Sequence, residues 1–86
     1  MRAQEKTDVM EKVEEDRKHL IEAAIVKVMK ARRRIDHNSL IAEVSKQLSW
    51  KFTPEPILIK SRIEGLIERE YMERDNDDRR FYKYIA

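Results

Sequence analysis

The chain has no cysteine in its 86 residues, which excludes a disulfide framework and a thiol nucleophile. Only two histidines accompany that absence, so a structural zinc site has too few ligands of the usual kind. There is one glycine, Gly65, and hence no glycine-rich loop to cradle a phosphate, and no cofactor is expected. Two prolines and 7% aromatic residues leave few fixed breaks and a small aromatic core. No uncharged apolar run approaches the roughly 18 residues of a membrane span, and no segment reads as a secretory leader. The expected setting is the cytoplasm and nucleus, without a membrane partner.

Charge is abundant instead. Acids and bases make up 42% of the chain, yet the net charge is only +2. The balance is uneven: residues 1–15 carry net −2 and the remainder net +4. That asymmetry favours an anionic partner only mildly, and a solvated mixed surface accounts for it equally.

Residues 1–14 are polar with no sustained apolar face and read as a flexible lead-in, so one folded domain is expected over 15–86. Asp16 is placed to cap a helix in which Leu20, Ile21, Ala24, Ile25, Val28 and Met29 recur at helical spacing. A minimal strand is expected around Ile35. Asn38 then reads as the cap of a second helix, with Leu40, Ile41, Val44 and Leu48 inward. The stretch 49–56 reads as a loop in which Trp50 and Phe52 pack at its edge. A third helix follows the prolines, with Ile59, Ile63, Leu66 and Ile67 on one face. The period then shortens: "YMER" and "FYKYI" alternate as strands around "DNDDRR", which has turn chemistry. The order predicts a mainly α fold with a small β-hairpin (α+β), a winged helix: a three-helix variant of helix-turn-helix with a C-terminal wing.

In such a fold the third helix would enter the DNA major groove. Its predicted outward positions are Ser61, Glu64, Gly65 and Glu68, and two carboxylates there repel phosphate. Specific nucleic-acid binding is therefore not expected, although a winged-helix DNA-binding domain of a transcription regulator stands as the alternative. The same face offers Ile57, Ser61 and Gly65 as a small strip for protein contact, although the plainer expectation is that Ile57 packs on the preceding loop.

The other stretch of interest is "AAIVKVMKARRR", residues 23–34, with five cations and no acid. Measured from the centre of the core arc at about 100° per residue, Lys30 points about 170° away and Val26 about 150°. Lys27 lies on the flank, at about 110°. Val26 and Lys30 are neighbours at i, i+4. They are either a scattered surface pair or a lysine presented rigidly beside an apolar contact. His19 and His37 have no companion for catalysis, and both read as structural or solvated.

Two segments resemble the C-terminal region of cullins. "VEEDRKHLIEAAIVKVMKARRRIDHNSLIAEV" is similar to the family's segment in which "AAIVRIMK" carries the acceptor lysine for the ubiquitin-like modifier of neddylation. "IKSRIEGLIEREYMERDNDDRRFYKYIA" is similar to the family's C-terminal end. The resemblance implies a non-catalytic winged-helix domain at the end of a ubiquitin-ligase scaffold. It implies as partners a RING-box protein, the modifier and its conjugating enzyme, and indirectly a ubiquitin-conjugating enzyme. It makes Lys30 the isopeptide acceptor, with Val26, Lys27 and Arg33 as contact surface. The family's usual arginine is here Lys27, which becomes a second candidate acceptor.

Overall fold

Helix α1 runs unbroken over Arg2–Arg32 in the computed structural model, which describes the backbone of residues 2–85 and the side chains of residues 15–85. The helix has no stop at position 15, and Asp16 lies inside it, so Asp16 is not a cap. The cause is local: residues 9–20 are rich in Glu, Lys, Met, Arg and Leu and contain neither Gly nor Pro, so propagation meets no obstacle. The expected lead-in over 1–14 thus has helical backbone from Arg2 onward, and its side chains lie outside the described residues.

The remaining elements are β1 (Arg34–Asp36), α2 (His37–Leu48), α3 (Pro56–Glu68), β2 (Met72–Arg74) and β3 (Phe81–Tyr84). Strands β2 and β3 form the expected hairpin, and β1 adds to its free side, giving an antiparallel sheet in the order β1-β3-β2. Ile35 faces Tyr82 across one ladder, and Arg74 faces Tyr82 across the other. The three-helix order with this wing is the predicted winged-helix architecture.

The core joins all of these elements. Ile21, Ile25 and Met29 of α1 meet Leu40 and Val44 of α2, Ile59 and Ile63 of α3, and Met72 and Tyr82 of the sheet, all fully buried. Leu20, Ile41 and Ile67 pack against that core only in part.

The cap of α2 is Asp36, not Asn38. Asp36 is extended, at φ −78° and ψ 161°, and its carboxylate accepts from the Ser39 amide at 3.1 Å. Asn38 is already within the first turn and exposed. Sequence pattern pointed to Asn38, and the pairing of β1 with β3 places the cap two residues earlier. That ladder holds the chain extended through Asp36. Asp36→Ala is therefore expected to lower the urea midpoint, while Asn38→Ala leaves it nearly unchanged. Equal losses in the two variants would show that the cap is shared.

Two of the loop expectations are corrected. Trp50 is 78% exposed and does not pack under the α2–α3 connection; the Lys51 ammonium lies 5.8 Å from its ring centre. Phe52 does pack against the core, with the Arg17 guanidinium 5.1 Å from its ring centre. Ile57 is 81% exposed, so it does not tuck under the preceding loop. The buried residues of α3 are Ile59, Ile63 and Leu66, and Ile57 lies outside their stripe.

Candidate modification site at the end of helix α1

Lys30 sits in the last turn of α1, directly after Met29, which is 1% exposed. The helix ends two residues later. Arg33 adopts a left-handed backbone at φ 67°, and its amide donates back to the Met29 carbonyl at 2.7 Å. That conformation disfavours a residue with a Cβ, and three contacts fix the turn. The Tyr84 amide donates to the Arg33 carbonyl at 2.8 Å. The Arg33 guanidinium lies 5.4 Å from the centre of the Tyr84 ring. One residue earlier, Arg32 donates twice to the Glu43 carboxylate, at 2.6 and 3.2 Å, holding Glu43 below its ordinary carboxyl range. The helix end is thus anchored to α2 and β3 while Lys30 is exposed.

Lys27 is exposed too, so burial does not separate the two lysines as the angular argument implied. Neither enters an ion pair among the described residues. Val26, expected on the wet face, is half-buried and packs against the core. The correction arises because the end of α3 and the turn before β2 come over this flank of α1. Val26, Lys27 and Lys30 line one side of a shallow groove, and Leu66, Arg69 and Tyr71 line the other. The far wall is fastened by Glu22 of α1, which accepts from Arg69 at 3.0 Å and Arg62 at 3.3 Å. Arg69 in turn lies 5.5 Å from the centre of the half-exposed Tyr71 ring. Sequence reasoning missed Tyr71 and Arg69. They lie about forty residues beyond Lys30, and no helical or strand period links them to it.

The outer strip of α3 is placed less uniformly than expected. Ser61 and Glu68 are exposed, and Gly65 is half-buried, with nothing near the position a Cβ would take. Glu64 is half-buried and pairs with Arg74 of the wing. A gel shift with the 86-residue chain is expected to show no preference for any DNA sequence over competitor, because the acid at position 68 faces outward and Glu64 engages the wing arginine. A reproducible preference at physiological salt would overturn that expectation. His37 is structural in the expected sense: its Nδ1 lies 2.8 Å from the Tyr82 hydroxyl. Among the described residues, no three or more histidine and acidic side chains are placed to share a metal ion, and no helix is long and apolar enough to cross a membrane.

The wing turn is not simply solvated. Asp75 is 5% exposed, accepting from Arg34 Nε at 2.5 Å and from the Asp77 amide at 2.8 Å. Arg34 also stacks 3.9 Å from the centre of the Phe81 ring. The Arg34 hydrogen bond holds the Asp75 carboxyl below its ordinary range. Arg80 holds Asp78 at about 2, through its side chain and then its amide. Carboxyls depressed in the folded state stabilise it above their unfolded value and lose that effect as pH falls through the folded one. The urea midpoint should therefore fall between about pH 4 and pH 2. That fall should be shallower in Asp78→Asn, which should also be the less stable protein at neutral pH. Parallel pH profiles for the two proteins would remove the wing pairs as the cause.

With that geometry in place, the chain's relatives are informative. The family model for the cullin protein neddylation domain matches residues 16–78. Cullin-3B of Arabidopsis thaliana is 58% identical over 82 residues, covering 95% of this chain and 11% of the relative. Cullin-3 of Dictyostelium discoideum is 54% identical with the same coverage, and cullin-2 of Arabidopsis thaliana is 43% identical. The chain thus spans about a tenth of the length of these relatives. Among solved structures, a chain of a Dcn1(P)–Cdc53(WHB) complex, determined for a dual E3 mechanism of Rub1 ligation to Cdc53, superposes with a TM-score of 0.87. It is 30% identical, and the match covers 95% of this chain and 94% of that one. Lys30 and the groove beside it fall within the residues that the family model matches, and the chain belongs to the cullin family, whose neddylation domain it carries.

Proposed function

We propose that Lys30 is the acceptor through which this domain is joined by an isopeptide bond to a ubiquitin-like modifier, and that the domain ends a longer, non-catalytic scaffold of a RING-type ubiquitin ligase. The observation that carries the reading is the position of Lys30. It is an exposed lysine that matches the acceptor position of the resembled cullin segment, on a helix end pinned by Arg32–Glu43 and by Arg33 against Tyr84. A fixed Cα with a free ammonium suits an enzyme that must bring a thioester to one amine, because a held geometry removes much of the entropic cost of the encounter.

The chemistry belongs to the enzymes. The Lys30 amine must lose a proton, attack the thioester carbonyl of the charged conjugating enzyme and expel its cysteine thiolate. This chain supplies the amine and the contact surface. Val26 and Tyr71 give that surface an apolar floor, and Lys27 and Arg69 in the groove, with the exposed Arg33 at the helix end, give it positive charge, which fits an acidic partner. The Dcn1–Cdc53 complex named above supports an accessory ligase of the modifier as a partner. A RING-box protein and, through it, a ubiquitin-conjugating enzyme follow from the family reading. The identities of 58% and 54% to the two cullin-3 relatives, against 43% to cullin-2, favour a cullin-3-like parent. Reconstituted conjugation of the 86-residue chain, followed by peptide mapping, tests the reading. A branched peptide at Lys30 is expected, and a modified chain without that branch would overturn it.

A further inference from the structure

A second cleft lies between the wing and the start of α2, sharing no residue with the groove beside Lys30. Four cations line it from three parts of the chain: Lys60 of α3, Arg74 of β2, and Arg79 and Arg80 of the wing turn. Their internal partners are unequal. Arg74 is answered by Glu64. Arg80 is answered by Asp78, at 2.8 and 3.0 Å. Lys60 and Arg79 are exposed and meet no carboxylate within ion-pair distance among the described residues. The Phe81 ring also lines it, as does Tyr82, whose hydroxyl lies 2.8 Å from His37 Nδ1.

The start of α2 does not itself hold an anion here. Asp36 already takes the Ser39 amide, and the His37 amide donates to the Arg80 carbonyl at 2.7 Å. The attraction is therefore from side chains, and the Asp36 carboxylate on the cleft wall opposes it. A monoanion gains little under that opposition. A group with two or more charges and several oxygens gains more, and it matches the planar paired donors of a free guanidinium.

We propose that this cleft binds a multiply charged phosphate group, seated between Lys60 and Arg79 with Arg80 at its edge. Binding bridges α3 to the wing and is independent of the reading of Lys30. It reads oxygens and charge, so it carries no base-sequence preference, and its affinity falls as salt rises.

The test is an amide NMR titration of the isotope-labelled 86-residue chain at constant ionic strength set with sodium chloride. One arm adds sodium pyrophosphate, and the other adds a short random-sequence DNA duplex. Saturable shifts are expected at His37, Asn38 and residues 79–81. Affinity should fall by about a hundredfold in the double variant Lys60→Gln, Arg79→Gln, since each of the two lost charge-assisted contacts is worth roughly a factor of ten. The control Lys46→Gln, Lys51→Gln removes the same charge elsewhere and should keep the binding. All four positions are exposed, so the starting spectra report that the fold is intact. Saturation with pyrophosphate supports the site as one for a multiply charged phosphate; saturation with the duplex alone, whose phosphodiesters each carry one charge, overturns it. No saturable shift in either arm overturns the proposal, as does equal weakening in both double variants, which would mean diffuse attraction without a site.

Discussion

Lys30→Arg is expected to abolish conjugation of the modifier almost completely, while Lys27→Arg conjugates normally. Arginine keeps the positive charge and most of the aliphatic stem but offers no amine that can attack a thioester. Lys30 is exposed and makes no ion pair, so the substitution breaks no contact among the described residues. The comparison is informative because Lys27 is also exposed and lines the same groove. Lys30 is favoured by its motif position and by its closeness to the pinned helix end. Lys27 lies about a turn earlier, where Val26 next to it is half-buried against the core. Both variants and the wild type would be compared in one reconstituted reaction with the RING-box partner. Full conjugation of Lys30→Arg would sink the assignment, and mapping of the new branch to Lys27 would show that reach from the enzyme selects the lysine.

Ile25→Ala should destabilise the domain by about 2–5 kcal/mol, whereas Ile57→Ala should change stability by no more than about 0.5 kcal/mol. Ile25 is 0% exposed and sits where α1 meets the other helices, so its truncation loses burial and leaves a cavity. Ile57 is 81% exposed and has little burial to lose. Domains of this size hold only about 5–15 kcal/mol in total, so the first loss removes a large part of the stability. At about 4–8 °C per kcal/mol, the melting temperature of Ile25→Ala should fall by at least about 8 °C. Thermal melts of the two variants give the comparison directly. A comparable fall for Ile57→Ala would mean that its side chain is covered in solution.

Much of the fold was legible from local pattern. The apolar period of α1 named Ile21, Ala24, Ile25, Val28 and Met29, all buried, and the shift to alternation after Glu70 marked the hairpin. Those signals survive because each belongs to one element: a helix repeats at 3.6 residues and a strand at two, whatever they pack against. The lysine motif was legible in the same way, since its letters are contiguous.

The rest required the assembled chain. Asn38 read as the cap of α2, and only the pairing of β1 with β3 shows that Asp36 takes that place. Asp75 looked like turn chemistry, but Arg34, forty-one residues earlier, draws it into the interior as the partner of a guanidinium. Val26 pointed outward by helical angle, yet the end of α3 and Tyr71 close over that flank and make it half of a groove. The sequence by itself determined most of the residues that each helix turns inward, and its resemblance to cullins marked Lys30. The tertiary structure decided which outward residues stay outward, because a side chain's final burial depends on what other elements bring to it, and one element's periodicity holds no record of that.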